Sequence, residues 1–89
     1  MGFLEDQKKE MEVLESALAQ GDTELIARLA HKMKGSAMNL RLDVMAQPAA
    51  SIEKAAKEGD LSGIPVPWDA LSRGFETLRE KGKIDGTRT

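Results

Sequence analysis

The sequence predicts an all-α domain, an antiparallel up-down-up-down four-helix bundle, from three observations. Apolar residues recur at helical spacing in four stretches. Glycine–aspartate pairs and a loop holding two prolines separate those stretches. The apolar palette is Leu, Ile, Met and Ala, with no tyrosine and only Phe3, Trp68 and Phe75 as aromatics. Such a palette favours helix over sheet. Amphipathic helices joined by short connections pack as antiparallel neighbours.

The first helix is expected over roughly residues 3–20, with Leu4, Met11, Leu14 and Leu18 on its inner face. Gly21 suits the position that ends it, and Asp22 is a good N-cap for the second helix. That helix runs to about residue 39 with Leu25, Leu29, Met33 and Ala37 inward. A break near Leu40–Leu42 follows, and Asp43 is expected to cap the third helix, whose stripe is Leu42, Met45, Ala49, Ile52 and Ala56. Pro48 inside it should kink the helix near Val44, or else mark its start. Gly59 ends it, and Asp60–Pro67 reads as a loop. Pro67 opens the fourth helix, which turns Trp68, Leu71, Phe75 and Leu78 inward and stops at Gly82. Gly74 either weakens that helix or permits a close approach. Residues 1–82 thus form the bundle, and 83–89 are expected to fray.

Composition excludes several classes. With 89 residues the chain is one domain, and a domain this size buries only about 60–65% of its unfolded surface. That suffices for one core, not for a deep enclosed active site. The absence of cysteine excludes disulfides and thiolate metal sites and fits a cytoplasmic location. No stretch is apolar enough to span a membrane, and none resembles a signal peptide. A net charge of −2 gives the whole molecule no bulk attraction to nucleic acid. There is no glycine-rich nucleotide loop and no cluster of metal ligands around the one histidine, so neither a cofactor nor a metal is expected.

The second helix carries the candidate chemistry. With Leu25 at zero and ~100° per residue, Leu25, Ile26, Leu29, Met33, Ala37 and Leu40 fall within ~0–120°. His31, the only histidine, lands near ~240°, opposite the centre of that stripe. It therefore projects into solvent. Ala27 and Gly35 lie one turn before and after it, Lys34 and Met38 share its side, and Arg28 and Lys32 flank the face. A glycine in mid-helix costs about 1 kcal/mol relative to alanine, and its return is clearance for a partner. The constellation is a reachable nucleophile, a cation beside it and a smooth floor, which is what a phosphoryl carrier needs. Each member has an ordinary reading too: a lone exposed histidine is most often plain surface, Lys34 a solvated lysine, Gly35 a packing residue.

The segment His31-Lys32-Met33-Lys34-Gly35-Ser36-Ala37-Met38-Asn39-Leu40 resembles the signature of histidine-containing phosphotransfer (HPt) domains. The stretch from Gly21-Asp22 through Leu25, Leu29 and Ala30 resembles the family's lead-in, and Ile52-Glu53 with Glu58-Gly59-Asp60 the end of its next helix. The resemblance covers roughly residues 3–60. It implies a phosphorelay role in signal transduction: His31 takes a phosphoryl group through Nε2 from an aspartyl phosphate on a receiver domain and passes it to another receiver. It further implies that Lys34 supports the phosphoryl group and that Gly35 leaves room for the receiver. By spacing, Glu53 matches a residue that steadies the imidazole, with Lys57 a second cation on the phosphate side. The receiver, alone or within a hybrid histidine kinase, supplies the magnesium ion and catalytic carboxylates, so the domain is no enzyme by itself. Two departures stand out: Arg41 occupies a position where many members have glycine, and Pro48 is unusual inside the next helix.

The rival readings are a plain helical adaptor with His31 incidental, and a nucleic-acid-binding bundle using Arg28, Lys32, Lys34 and Arg41 as a basic patch. Mixed charge elsewhere and the lack of exposed aromatics disfavour the latter. Within the family, the module could instead be the first domain of a chemotaxis-type kinase, phosphorylated by a kinase domain.

Overall fold

A computed structural model describes the backbone of residues 3–88 and the side chains of residues 5–80. Four helices follow in order: α1 (Phe3–Gln20), α2 (Thr23–Asn39), α3 (Asp43–Lys57) and α4 (Pro65–Arg88), with a 3₁₀ turn at Leu61–Gly63. There is no strand among the described residues. Each helix packs on its neighbours in the chain, and α1 closes the ring against α4. Two of the molecule's dimensions are 20 Å, the width of two packed helices at ~10 Å each. With connections this short, consecutive helices run antiparallel. The axis is filled by Leu14, Ile26, Met33, Met45, Ile52 and Leu71, all fully buried.

The turns are built alike. Gly21 and Gly59 adopt positive φ (69° and 70°), and so does Arg41 (58°). At each, two backbone hydrogen bonds close the preceding helix. The pairs are Gly21 N–H to Leu18 and Asp22 N–H to Ala17, Arg41 N–H to Met38 and Leu42 N–H to Ala37, and Gly59 N–H to Ala56 and Asp60 N–H to Ala55. This is the Schellman arrangement. Arg41 therefore keeps the geometry glycine would give, at a steric cost of ~1–2 kcal/mol. Asp22 caps α2 as expected, accepting from Leu25 N–H at 3.2 Å.

Pro48 lies inside α3, whose assignment starts at Asp43 and not at Pro48. Proline lacks an N–H, so the Val44 carbonyl one turn back loses its helical partner. Gly74 of α4 packs against that carbonyl: a Cβ at position 74 would sit 2.5 Å from the Val44 oxygen. The two sequence irregularities are thus one contact, in which a freed carbonyl meets a bare Cα.

Several expectations are corrected. Leu42, not Asp43, is the N-cap of α3, and no side chain caps it; Asp43 is the first helical residue, where its charge suits the helix dipole. Helix α4 begins at Pro65, not Pro67. Both prolines fall in the first turn, where N–H groups are unpaired anyway, and the Trp68 N–H makes the first bond, to Ile64 at 2.8 Å. The α4 backbone continues past Gly82 to Arg88, since glycine within a helix is a cost of about 1 kcal/mol and not a stop. The side chains of Leu4 and of residues 81–89, and with them the expected fraying, lie outside the described residues. Leu40 is exposed because the helix has ended there. On α2 the buried residues are Ile26, Ala30, Met33 and Ala37, with Leu25 and Leu29 only partly covered. The true stripe is thus rotated to roughly 110° on the same wheel. That rotation brings His31 from diametrically opposite the core to the flank that faces α3.

Candidate functional site

His31 sits in the middle of α2 with its side chain 68% exposed, and its ring leans towards α3. There Nδ1 lies 2.8 Å from Oε2 of Glu53. Glu53 is one helical position past Ile52, a residue buried in the core, and is itself only 5% exposed. A carboxylate buried this deeply must be partnered. Lys34 donates to its Oε1 at 2.8 Å, and Lys57, one turn along α3, donates to Oε2 at 3.0 Å. The hydrogen bond from Lys34 is the largest influence on Glu53. Burial opposes it, and Lys57 and His31 add to it, so the carboxyl is held at about 2 instead of its ordinary 4.5.

This ionisation fixes the imidazole. A carboxylate can only accept hydrogen bonds, so Nδ1 carries the proton and donates it to Oε2. In the neutral ring Nε2 then has a free lone pair, directed away from the carboxylate. The residues are supplied by local folding: Lys34 is one turn beyond His31 on α2, and Glu53 and Lys57 are i and i+4 on α3.

The remaining candidates lie elsewhere on α2. A Cβ at Gly35 would meet nothing within 4 Å. Met38 is 61% exposed, Arg28 is exposed and Ala27 half-buried. Lys32 points to the other flank, where its Nζ lies 3.5 Å from Glu10 of α1. Sequence reasoning missed Glu10 and the buried Gln7, whose polar character hid their places on the inner side of α1. Lys34, read from the sequence as a cation beside the ring, is joined to Glu53. The groove beside the cluster is open and lined by Lys34, Ala50, Glu53, Lys54, Lys57 and Glu58. It is unlike the concave apolar pockets that hold small molecules. Among the described residues no group of three His, Cys, Asp or Glu side chains is placed to hold a metal ion, and no helix is long and apolar enough to cross a membrane.

No curated protein and no solved structure matches the chain. A family model does: that of the Hpt domain, over residues 2–81. The match takes in α1 to α3, α4 as far as residue 81 and every residue of the His31 cluster, and the chain belongs to the Hpt domain family.

Proposed function

We propose that the domain is a phosphoryl carrier in a phosphorelay, accepting and donating the group at Nε2 of His31. The observation that carries this reading is the bond from Nδ1 to the ionised Glu53, which leaves Nε2 of a largely exposed ring without a hydrogen-bond partner among the described residues. In the forward step Nε2 attacks phosphorus, the N–P bond forms and the P–O bond to the aspartyl carboxylate breaks. The carboxylate leaves with the electron pair, and Nδ1 keeps its proton throughout. The ring becomes cationic, and Glu53 lies against that charge. In the return step the ring leaves as neutral imidazole, a far better leaving group than imidazolate. Glu53 therefore supports both directions by keeping the proton on Nδ1. The partner, a receiver domain of a response regulator or hybrid kinase, brings the magnesium ion and its carboxylates. This chain brings the nucleophile and a landing surface of Ala27, Arg28, Lys32, Gly35 and Met38.

The test is incubation with a receiver domain phosphorylated on its aspartate. Acid-labile, base-stable label should move to the wild-type domain and not to His31→Gln, whose helical content should be unchanged because the His31 side chain is largely exposed and lies outside the hydrophobic core. No transfer from any of a panel of receivers, or equal labelling of the variant, would count against the reading and in favour of an adaptor role.

A further inference from the structure

The two lysines on Glu53 are not equivalent. Oε1 accepts from Lys34, whereas Oε2 accepts from both His31 Nδ1 and Lys57. Lys34 is 29% exposed and Lys57 65% exposed. If Lys34 let go, Oε1 of a buried carboxylate would lose its partner among the described residues, which is unfavourable. If Lys57 let go, Oε2 would still hold the imidazole. From this asymmetry, and resting on the carrier reading above, we propose a division of labour: Lys34 is a positioning residue that holds Glu53, and Lys57 is the cation that moves to the phosphoryl group once it arrives on His31. The resemblance assigned the phosphoryl-supporting role first to Lys34.

Charge drives the exchange. Before transfer, Oε2 holds one neutral ring and one ammonium. After Nε2–P bond formation, with Nδ1 still protonated, Oε2 faces a cationic ring as well as the Lys57 ammonium, and those two cations repel. The phosphoryl group has meanwhile placed a charge of about −2 on the far side of the same ring. Lys57 leaves an oxygen that no longer needs it for one that does, and its long exposed arm changes rotamer at little cost. Lys34 cannot follow without uncovering Oε1.

Chemical phosphorylation with phosphoramidate tests this without any partner protein. The lifetime of phosphohistidine is followed by ³¹P NMR, and the tautomer of the unmodified ring by ¹⁵N NMR. Lys57→Gln should shorten the lifetime roughly five- to tenfold, the weight of about one charge-assisted contact, and leave the Nδ1–H tautomer of the free ring in place. Lys34→Gln should mix the tautomers of the free ring, and Lys34→Arg should restore the Nδ1–H form. A Lys57→Gln variant with wild-type lifetime overturns the proposal, as does a Lys34→Gln variant with an unaltered tautomer and a lifetime shortened as much as by Lys57→Gln. Failure here leaves the carrier reading standing, because that reading fails only if phosphorylated receivers do not label His31.

Discussion

At the scale of single residues, Glu53 is the one on which the site depends. Its carboxyl is held at about 2, below its ordinary 4.5. A depressed folded-state value means that the cluster contributes fully above about 4.5, and that the contribution is lost as pH falls towards about 2. Between those values the wild-type domain should lose stability more steeply than Glu53→Gln, as read by urea unfolding at a series of pH values. Parallel curves would show that Glu53 is not coupled to its cations. Near neutral pH, Glu53→Gln should cost about 1–2 kcal/mol of stability and slow phosphoryl uptake, since an amide can turn its NH₂ towards Nδ1 and release the tautomer. His31 and its exposure were legible from one helical wheel. Glu53 was reached only through the family resemblance, because a contact spanning 22 residues leaves no trace in the periodicity of either helix. The Lys34–Glu53 bond escaped for the same reason: the wheel places Lys34 beside the ring but says nothing of what α3 presents to it.

At the scale of elements, the turns explain why the bundle tolerates departures from the family pattern. Arg41 holds a left-handed conformation at the end of α2, with both Schellman hydrogen bonds intact. Arg41→Gly should stabilise the domain by up to about 1 kcal/mol, the steric relief being partly offset by the freer unfolded chain. Thermal unfolding reads this, and a loss of stability would mean that the arginine side chain contributes more than its backbone costs. Gly74→Ala should act oppositely. Its Cβ would press on the Val44 carbonyl at 2.5 Å, forcing α3 and α4 apart at a cost of ~1–3 kcal/mol, although alanine is the better helix former. Helices α1 to α3 were legible to within a residue or two, because each has a regular apolar stripe and Gly21 and Gly59 mark the ends of α1 and α3. The start of α4 was not, because Pro65 and Pro67 satisfy the same first-turn rule. Pro48 and Gly74 were each noticed as anomalies; that they meet is a fact of tertiary packing that no single helix encodes.

At the scale of the whole molecule, the bundle is a rigid post that presents one face. The core fixes α2 against α3, the Glu53 cluster fixes the ring, and Gly35 leaves open space beside it. Gly35→Gln should leave stability unchanged or slightly raised, as glutamine is the better helix former by under about 1 kcal/mol. It should weaken receiver binding and slow transfer by tenfold or more, on the order of the ~1–3 kcal/mol that overpacking costs. Wild-type binding and transfer in this variant would show that the clearance is not used. Lys34→Ala, by contrast, should slow transfer more than it weakens docking, because it loosens Glu53 and with it the ring of His31; measuring both at fixed ionic strength separates positioning from shape. The central claim is that Nε2 of His31 carries the phosphoryl group while Nδ1 keeps its proton on Glu53. With a single histidine in the chain, ¹⁵N labelling gives one pair of ring resonances, and NMR of the domain phosphorylated by a receiver reads the claim directly. Phosphorus coupling at Nε2 with Nδ1 still protonated is the expected result; phosphorus on Nδ1, or phosphorylated protein with both ring resonances unchanged, would overturn it.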